Sequence, residues 1–295
     1  MPYKKSAEDS SRVPMVDETN VPSDRLLKYG DITLKLGHQI ARGGFSTVYK
    51  AVDDFDNRLV VKEFTPNANP LMWENEVANY QSLMHPSIVH MYGAFKLKNR
   101  CYIILEDGGI AVGRINLDSD WERLLVFILT AKGMLEGLHF MHRWGFVHTD
   151  INFANALLKM TNDQKPMCVK LCDLGLTLKA GRMKPGQHKA KWNPPPEAID
   201  PDHFGAEAAP MDVYSTCLVL MELLYGEEVG YFTDHEIVDG APQRLARDMA
   251  ADQANPVYEG LMLGLEPRPQ RRPGPLELWQ HLRKLGYARL REIRR

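Results

Sequence analysis

The pattern of apolar residues shifts from mainly strand-like to mainly helical at Glu106 to Gly109 (EDGG), and that shift constrains the fold more than any other feature. Before it, short alternating runs at Ile32–Ile40, Thr47–Val52, Leu59–Phe64, Met91–Phe95 and Cys101–Leu105 read as strands. Turns at ARGGFS, Asp53–Arg58 and Lys98-Asn99 separate them. One helix interrupts, Glu74–Met84, with Val77, Tyr80 and Met84 at helical spacing and His85-Pro86 as its stop. Beyond EDGG, helices dominate: Trp121–Met141, Ala209–Leu224, Asp248–Leu265 and Pro275–Leu285. Asn155–Leu158 and Val169–Cys172 read as short strands around the polar turn TNDQK, and no clear element is legible between Leu176 and Pro195. The expected fold class is α+β and bilobal, with a five-stranded N-lobe at 29–106 and a mostly helical C-lobe at 110–285. A polar arm expected to be flexible (1–28) precedes the 29–285 domain, and a basic tail (286–295) follows it.

A chain of 295 residues with 44% apolar and 25% charged residues has material for one large domain or two small lobes. A formal net charge of −2 provides no global attraction to nucleic acid or to an anionic membrane, so neither is expected as a partner. The four cysteines, Cys101, Cys168, Cys172 and Cys217, show no paired metal spacing and suit a reducing interior. With no apolar leader and no unbroken apolar run approaching a membrane span, the expected location is the cytoplasm or nucleus.

Chemistry concentrates in Phe146–Asn155 (FVHTDINFAN) and in the CDLG at Cys172–Gly175. Asp150 follows His148 by two residues, Asn155 follows Asp150 by five, and Asp173 lies just downstream. Such carboxylate and amide oxygens suit a magnesium–nucleotide complex and the orientation of a hydroxyl for phosphoryl transfer. Upstream, the glycine turn IARGGFSTV (Ile40–Val48) can bring backbone donors to phosphate oxygens. Lys62 in VVKEF is an inward lysine in an apolar strand, which needs a charged partner. Downstream stand KWNPPPE, MDVYS and QRRPG.

With six motifs in one order over Ile32–Leu285, the chain resembles the eukaryotic-type protein kinase superfamily, as a divergent member with a non-RD-like HTDINFAN loop. The resemblance implies a nucleotide site at Ile40, Gly43, Gly44, Ser46, Val48, Lys62, Glu76, Leu105, Glu106 and Gly108. It implies that Lys62 pairs with Glu76, Glu74 being the alternative, and that Asn155 and Asp173 bind magnesium, or manganese. It gives Asp150 the substrate hydroxyl, with Lys62 and the residue at Asn152 beside it in catalysis. It makes His148 a structural support, Asp212 a brace for the loop backbone (a plain helix N-cap being the alternative), and Glu197–Arg272 an architectural ion pair with Arg271 as fallback.

Several positions depart from the family pattern. Ala41 stands at the first glycine and Leu174 at the usual phenylalanine. Thr149 replaces the arginine that gathers an activation-segment phosphate, and Thr177 is the only hydroxyl residue between Leu174 and Pro196. That interval carries Lys179, Arg182, Lys184, Lys189 and Lys191 without an acidic residue, which suits an acidic protein substrate or partner. Ala190 or Lys191 replaces the threonine before the substrate-facing loop, and Lys191-Trp192 resembles tyrosine kinases. Asn152 replaces the lysine that contacts the transferred phosphate; an amide cannot neutralise charge, and losing such a contact costs a few kcal/mol, roughly two or more orders of magnitude in rate. The resemblance therefore implies an ATP- and magnesium-dependent protein kinase, serine/threonine-directed and free of activation-loop phosphorylation control. The alternatives are a pseudokinase acting as a regulatory scaffold and, more distantly, a small-molecule phosphotransferase.

Overall fold

Alternating inward and outward side chains build a six-stranded sheet from the first part of the chain. The computed structural model describes residues 25–66, 68–182, 194–205, 208–225, 232–252 and 255–293. The strands are β1 (Leu26–Tyr29), β2 (Ile32–Arg42), β3 (Ser46–Val52), β4 (Arg58–Phe64), β5 (Met91–Leu97) and β6 (Arg100–Glu106), in the order β1-β2-β3-β4-β6-β5. The β5–β6 hairpin turns on Lys98 (φ 46°) and Asn99 (φ 64°), the left-handed pair that matches strand twist. One sheet face buries Leu27, Leu34, Leu36, Leu59, Val61 and Ile104. The period of two puts Glu63 on that face and Lys62 on the opposite one.

The expected arm gives way to sheet earlier than residue 28, which corrects both the boundary and the five-strand count. Leu27 is 4% exposed and pairs with Leu34, and Arg25 fastens the strand by a forked contact to Glu63 (2.5 and 2.9 Å). Arg100 and Tyr102 also donate to Glu63. Burial alone would raise the Glu63 carboxyl, but these donors outweigh it and hold its pKa below the usual range.

Two compact units divide the chain: Met1–Ala68 with Tyr92–Asp107, and Asn69–Met91 with Gly108–Arg295. The second unit contains α1 (Pro70–Ser82), β7 (Ile110–Ala111), α2 (Asp120–Arg143) and β8 (Phe146–Val147). β9 (Ala156–Met160), β10 (Pro166–Leu171) and β11 (Leu178–Lys179) follow. The remaining helices are α3 (Pro196–Ile199), α4 (Pro201–Phe204), α5 (Ala209–Tyr225), α6 (Asp234–Val238), α7 (Ala241–Asp252), α8 (Val257–Gly264) and α9 (Pro275–Ile293). Helix α1 begins earlier than its apolar period suggests, because Asn69 caps the Leu71 N–H and Pro70 suits the first helical position. It ends at Ser82, before His85-Pro86.

Helix α2 opens on a capping box between Ser119 and Glu122 and forms the axis of this unit. Its length and hydropathy would suit a membrane span, yet 67% of that apolar window is buried inside the protein, as in a core helix. Gly133 lets β10 approach: a Cβ there would stand 2.1 Å from the Val169 carbonyl oxygen. The single helix expected over Asp248–Leu265 is broken in two, with Pro256 capping α8, since proline cannot continue α7. Conversely α9 runs through Gly286 to Ile293, into the expected tail. Gly286 is a contact point here, because a Cβ would meet Ile128 of α2 at 2.9 Å.

Candidate active site

The Phe146–Asn155 loop is built on strained backbone held by a buried carboxylate. Thr149 has φ 66°, a left-handed conformation unfavourable for a β-branched residue. Asp212, in the first turn of α5 and 1% exposed, accepts the N–H groups of His148 (2.8 Å) and Thr149 (2.9 Å). Its Oδ2 also contacts His142 Nε2 at 2.8 Å. The carboxylate thus braces the loop rather than capping its own helix. Burial would raise the Asp212 pKa, but the His142 hydrogen bond and the nearby histidines outweigh that and hold it below the usual carboxylate range. His148 is fully buried; its Nδ1 accepts the Asp150 N–H (3.3 Å), so Nε2 donates to the Cys172 carbonyl (3.2 Å). Both ring nitrogens are thereby committed to backbone.

Beyond this brace the loop presents Asp150 between two amides. Asn152 Nδ2 donates to Asp150 Oδ1 (3.1 Å), and Asn155 Nδ2 donates to Asp150 Oδ2 (2.9 Å) and to its carbonyl (2.8 Å). Asn152 Oδ1 meanwhile accepts the Ala154 N–H, capping the short turn that ends at Asn155. With its amide nitrogen spent on Asp150, Asn155 has its side-chain oxygen for another ligand. The Asn155 carbonyl accepts the Cys172 N–H (3.0 Å), which places Asp173 one residue from the strap joining the two loops.

Asp173 is itself in the left-handed region, φ 60° and ψ 75°. Its N–H donates to Tyr80 Oη (3.2 Å), and its Oδ1 accepts the Gly175 N–H. Helix α1 delivers three groups here. Glu76 is 1% exposed whereas Glu74 is exposed, which favours Glu76 as the functional carboxylate; a Cβ on Gly175 would lie 3.1 Å from its Oε2 and 3.2 Å from Asp173 Oδ1. Asn79 donates to the carbonyls of Leu174 (2.9 Å) and Thr177 (3.0 Å). Tyr80 is buried, and desolvation, with Glu76 next, pushes its phenol well above the ordinary value. Sequence reasoning missed Asn79, Tyr80 and His142. For the first two a signal existed, since both share the helix face of Glu76 at spacings of three and four.

In the sheet unit, Val48 and Lys62 are register partners on β3 and β4, and Lys62 pairs onward with Ile103 of β6. Lys62 is 7% exposed, with Nζ 5.5 Å from the Phe64 ring centroid. Ile40 lies two residues before the end of β2 in a hairpin whose tip, Gly43 to Ser46, is closed by the Gly43 N–H donating to the Ser46 carbonyl (2.8 Å). A Cβ on Gly44 would meet nothing, so that glycine leaves open space. Leu105 is buried and Glu106 half-buried at the end of β6; Asp107 then grips Lys50 of β3 through both oxygens (2.8 and 2.7 Å). Gly108 belongs to the helical unit, where a Cβ would press on Leu157 at 2.8 Å.

Glu197 on α3 and Arg272 form the forked pair foreseen, at 2.5 and 2.8 Å, while Arg271 is exposed. Lys184, Lys189, Ala190, Lys191 and Trp192 lie outside the described residues. Lys179 is described; its Nζ lies 4.1 Å from the Phe146 ring centroid. Among the described residues no group of three His, Cys, Asp or Glu side chains forms a metal cluster.

A strand unit with an inward lysine, and a helical unit joining Asp150, Asn155 and Asp173, define the phosphotransferase class of which protein kinases are members. A family model described as the protein kinase domain matches residues 34–282, and the chain belongs to that family. It is 29% identical over 203 residues to MAP3K epsilon protein kinase 1 of Arabidopsis thaliana, covering 64% of this chain and 14% of the relative. It is 28% identical over 211 residues to mitogen-activated protein kinase kinase kinase 3 of the same plant, covering 67% and 36%. To serine/threonine-protein kinase PLK4 of Drosophila ananassae it is 27% identical over 209 residues, covering 64% and 25%. The chain therefore spans well under half the length of these relatives.

Proposed function

We propose that this protein is an ATP- and magnesium-dependent kinase that phosphorylates serine or threonine hydroxyls of proteins without activation-segment phosphorylation. The observation that carries this is the Asp150 carboxylate, set between Asn152 and Asn155 and strapped to Asp173 through the Cys172 N–H. A protein kept only for its shape has no physical need for that arrangement. Serine/threonine direction is supported by the similarity to the serine/threonine-protein kinase PLK4.

The donor set fits magnesium. One carboxylate, Asp173, and one amide oxygen, that of Asn155, are hard ligands, and magnesium is commonly held by one or two such groups together with substrate phosphates. Bound there, the ion would neutralise phosphate charge and hold the phosphates in line. Asp150 would orient the substrate hydroxyl and accept its proton, its own carboxylate held in one rotamer by the two amides. Lys62 is the cation the family assigns to the nucleotide phosphates, with Glu76 as its carboxylate partner. An acidic protein substrate suits the basic residues of 179–191.

A second reading rests on Asn152. Its amide is committed to Asp150 and to Ala154, so it adds no cation for the transferred phosphate. A pseudokinase tolerates that loss. The two are separated by transfer of labelled phosphate from ATP to the protein itself and to a peptide library, with magnesium and then manganese. The expected result is turnover that falls by roughly two to four orders of magnitude in Asp150→Asn. Turnover indifferent to that substitution would refute the site, and absent turnover with nucleotide binding retained in a thermal-shift titration would establish the pseudokinase.

A further inference from the structure

A cavity of about 700 Å³ lies within the helical unit, between α2 and α9. Its floor is a stripe along α2, Lys132, Glu136, His139 and Arg143, at the three-to-four-residue spacing of one helix face. From Lys132 to Arg143 that stripe is roughly 16 Å long at the helical rise. The opposite wall is the first turn and a half of α9, through Leu276 and Trp279. His85 stacks on Phe140 with ring centroids 4.8 Å apart, and Trp144 closes the end, tilted against Phe140 at 6.3 Å. Trp144 is 63% exposed and Leu276 47% exposed, so apolar surface is left facing water.

We propose that this groove between α2 and α9 is a docking site for a short acidic peptide segment of a protein partner, anchored by an apolar side chain. Charge complementarity selects the occupant. Lys132 and Arg143 stand at the two ends of the stripe and make no ion pair among the described residues. The one carboxylate lining the groove, Glu136, accepts a hydrogen bond from Ser87 Oγ (2.9 Å), and His85 Nδ1 accepts the Ser87 N–H. The floor therefore carries two cations against one carboxylate, a net positive charge flanking an aromatic trough. Tryptophan and arginine are the residue types that most often carry binding energy at protein interfaces. A stripe of roughly 16 Å takes about five residues of extended chain, so a linear segment suffices. The site is independent of whether the protein turns over ATP.

The test uses the full chain and fluorescein-labelled peptides of glutamate and leucine bearing one tryptophan. Each is paired with a version in which lysine replaces glutamate and one in which alanine replaces the apolar residues. Fluorescence polarisation should show the acidic, anchored peptides binding and both counterparts failing. Trp144→Ala should weaken binding roughly tenfold or more. The double variant Lys132→Glu, Arg143→Glu should lose the acidic peptides and gain the lysine-bearing ones. The side chains substituted, Lys132, Arg143 and Trp144, are exposed, and an unchanged thermal melt verifies folding. The proposal is overturned if no acidic peptide binds below about 1 mM, or if binding ignores both sets of substitutions. It is equally overturned if Trp144→Ala instead abolishes a concentration-dependent self-association, or if only vesicles of phosphatidylserine bind.

Discussion

The Glu197–Arg272 pair allows a quantitative test, because every donor of Arg272 has a named acceptor. Its Nε donates to the Glu266 carbonyl (2.7 Å); one terminal nitrogen donates to Glu197 and to the Pro210 carbonyl (3.1 Å), the other to Glu197 and to the Pro267 carbonyl (2.9 Å). Five N–H groups meet five acceptors, and the two side chains are 0% and 1% exposed. Tyr214 lies beneath, 4.7 Å from the guanidinium carbon to the ring centroid. Arg272→Met removes all five bonds and leaves a buried carboxylate without its cation, for which the expected loss is about 3–5 kcal/mol. Lysine keeps the charge but has three donors and no fork, so Arg272→Lys should strand at least two acceptors and cost about 2–4 kcal/mol. Adding Glu197→Met to Arg272→Met should recover part of the loss, since no charge is then left buried. Urea unfolding at neutral pH measures each, and for a unit of this size the single Arg272→Met should lower Tm by roughly 6–20 °C. An Arg272→Lys protein within about 0.5 kcal/mol of the parent, or strictly additive losses in the double variant, would show that fork geometry does not hold these segments together.

Two further substitutions test the electrostatics of α5. Glu222 is half-buried, and burial pushes its carboxyl up to about 7 from 4.5. The folded state thus favours the protonated acid: the penalty is absent below pH 4.5, grows through the interval and is complete above about 7. Glu222→Gln should stabilise the protein at pH 8 by about 1–2 kcal/mol, after discounting for solvent screening, and do nothing at pH 4, as read by melts across that range. Asp212 has the opposite sign, since its folded pKa is depressed; its stabilisation is complete above the unfolded value near 4 and is lost as pH falls through the lower folded value. Asp212→Asn, with one acceptor oxygen for two N–H groups, should cost about 2–3 kcal/mol at pH 7 and speed amide exchange at His148 or Thr149; unchanged exchange would deny the brace.

Legibility in the sequence followed the range of the interaction involved. The strand runs rest on local alternation, which the structure reproduces, whereas the pairing of Glu197 with Arg272, 75 residues apart, was legible only through the family resemblance. The preference for Glu76 over Glu74 came with the family pattern, and the burial of Glu76 beside an exposed Glu74 gives it a physical ground. Strand β1 was hidden because its residues carry no strand pattern alone; Leu27 matters by pairing with Leu34 of the next strand, and Arg25 through Glu63, 38 residues along the chain. Gly286 and Pro256 misled in opposite directions. A glycine pressed against Ile128 is part of helix packing, while a proline inside an apolar period still breaks a helix. The role of Asn152 was only half visible: the missing cation could be read directly, but its amide grip on Asp150 could not.

That grip bears on how the site is kept in order without the charged clamp that Thr149 replaces. Thr149 Oγ1 donates to the Leu176 carbonyl at 2.7 Å, and Asn79 donates to the carbonyls of Leu174 and Thr177. Three backbone oxygens of Leu174, Leu176 and Thr177 are thus tied down by neutral donors from the loop and from α1. A phosphate-gathering arginine orders such a segment only after modification, whereas these hydrogen bonds are present in the unmodified chain. Thr177 is 4% exposed, and its hydroxyl has no partner among the described residues, so no accessible hydroxyl stands there for another kinase to modify. Together the neutral ties and the buried threonine support constitutive order at the start of the segment.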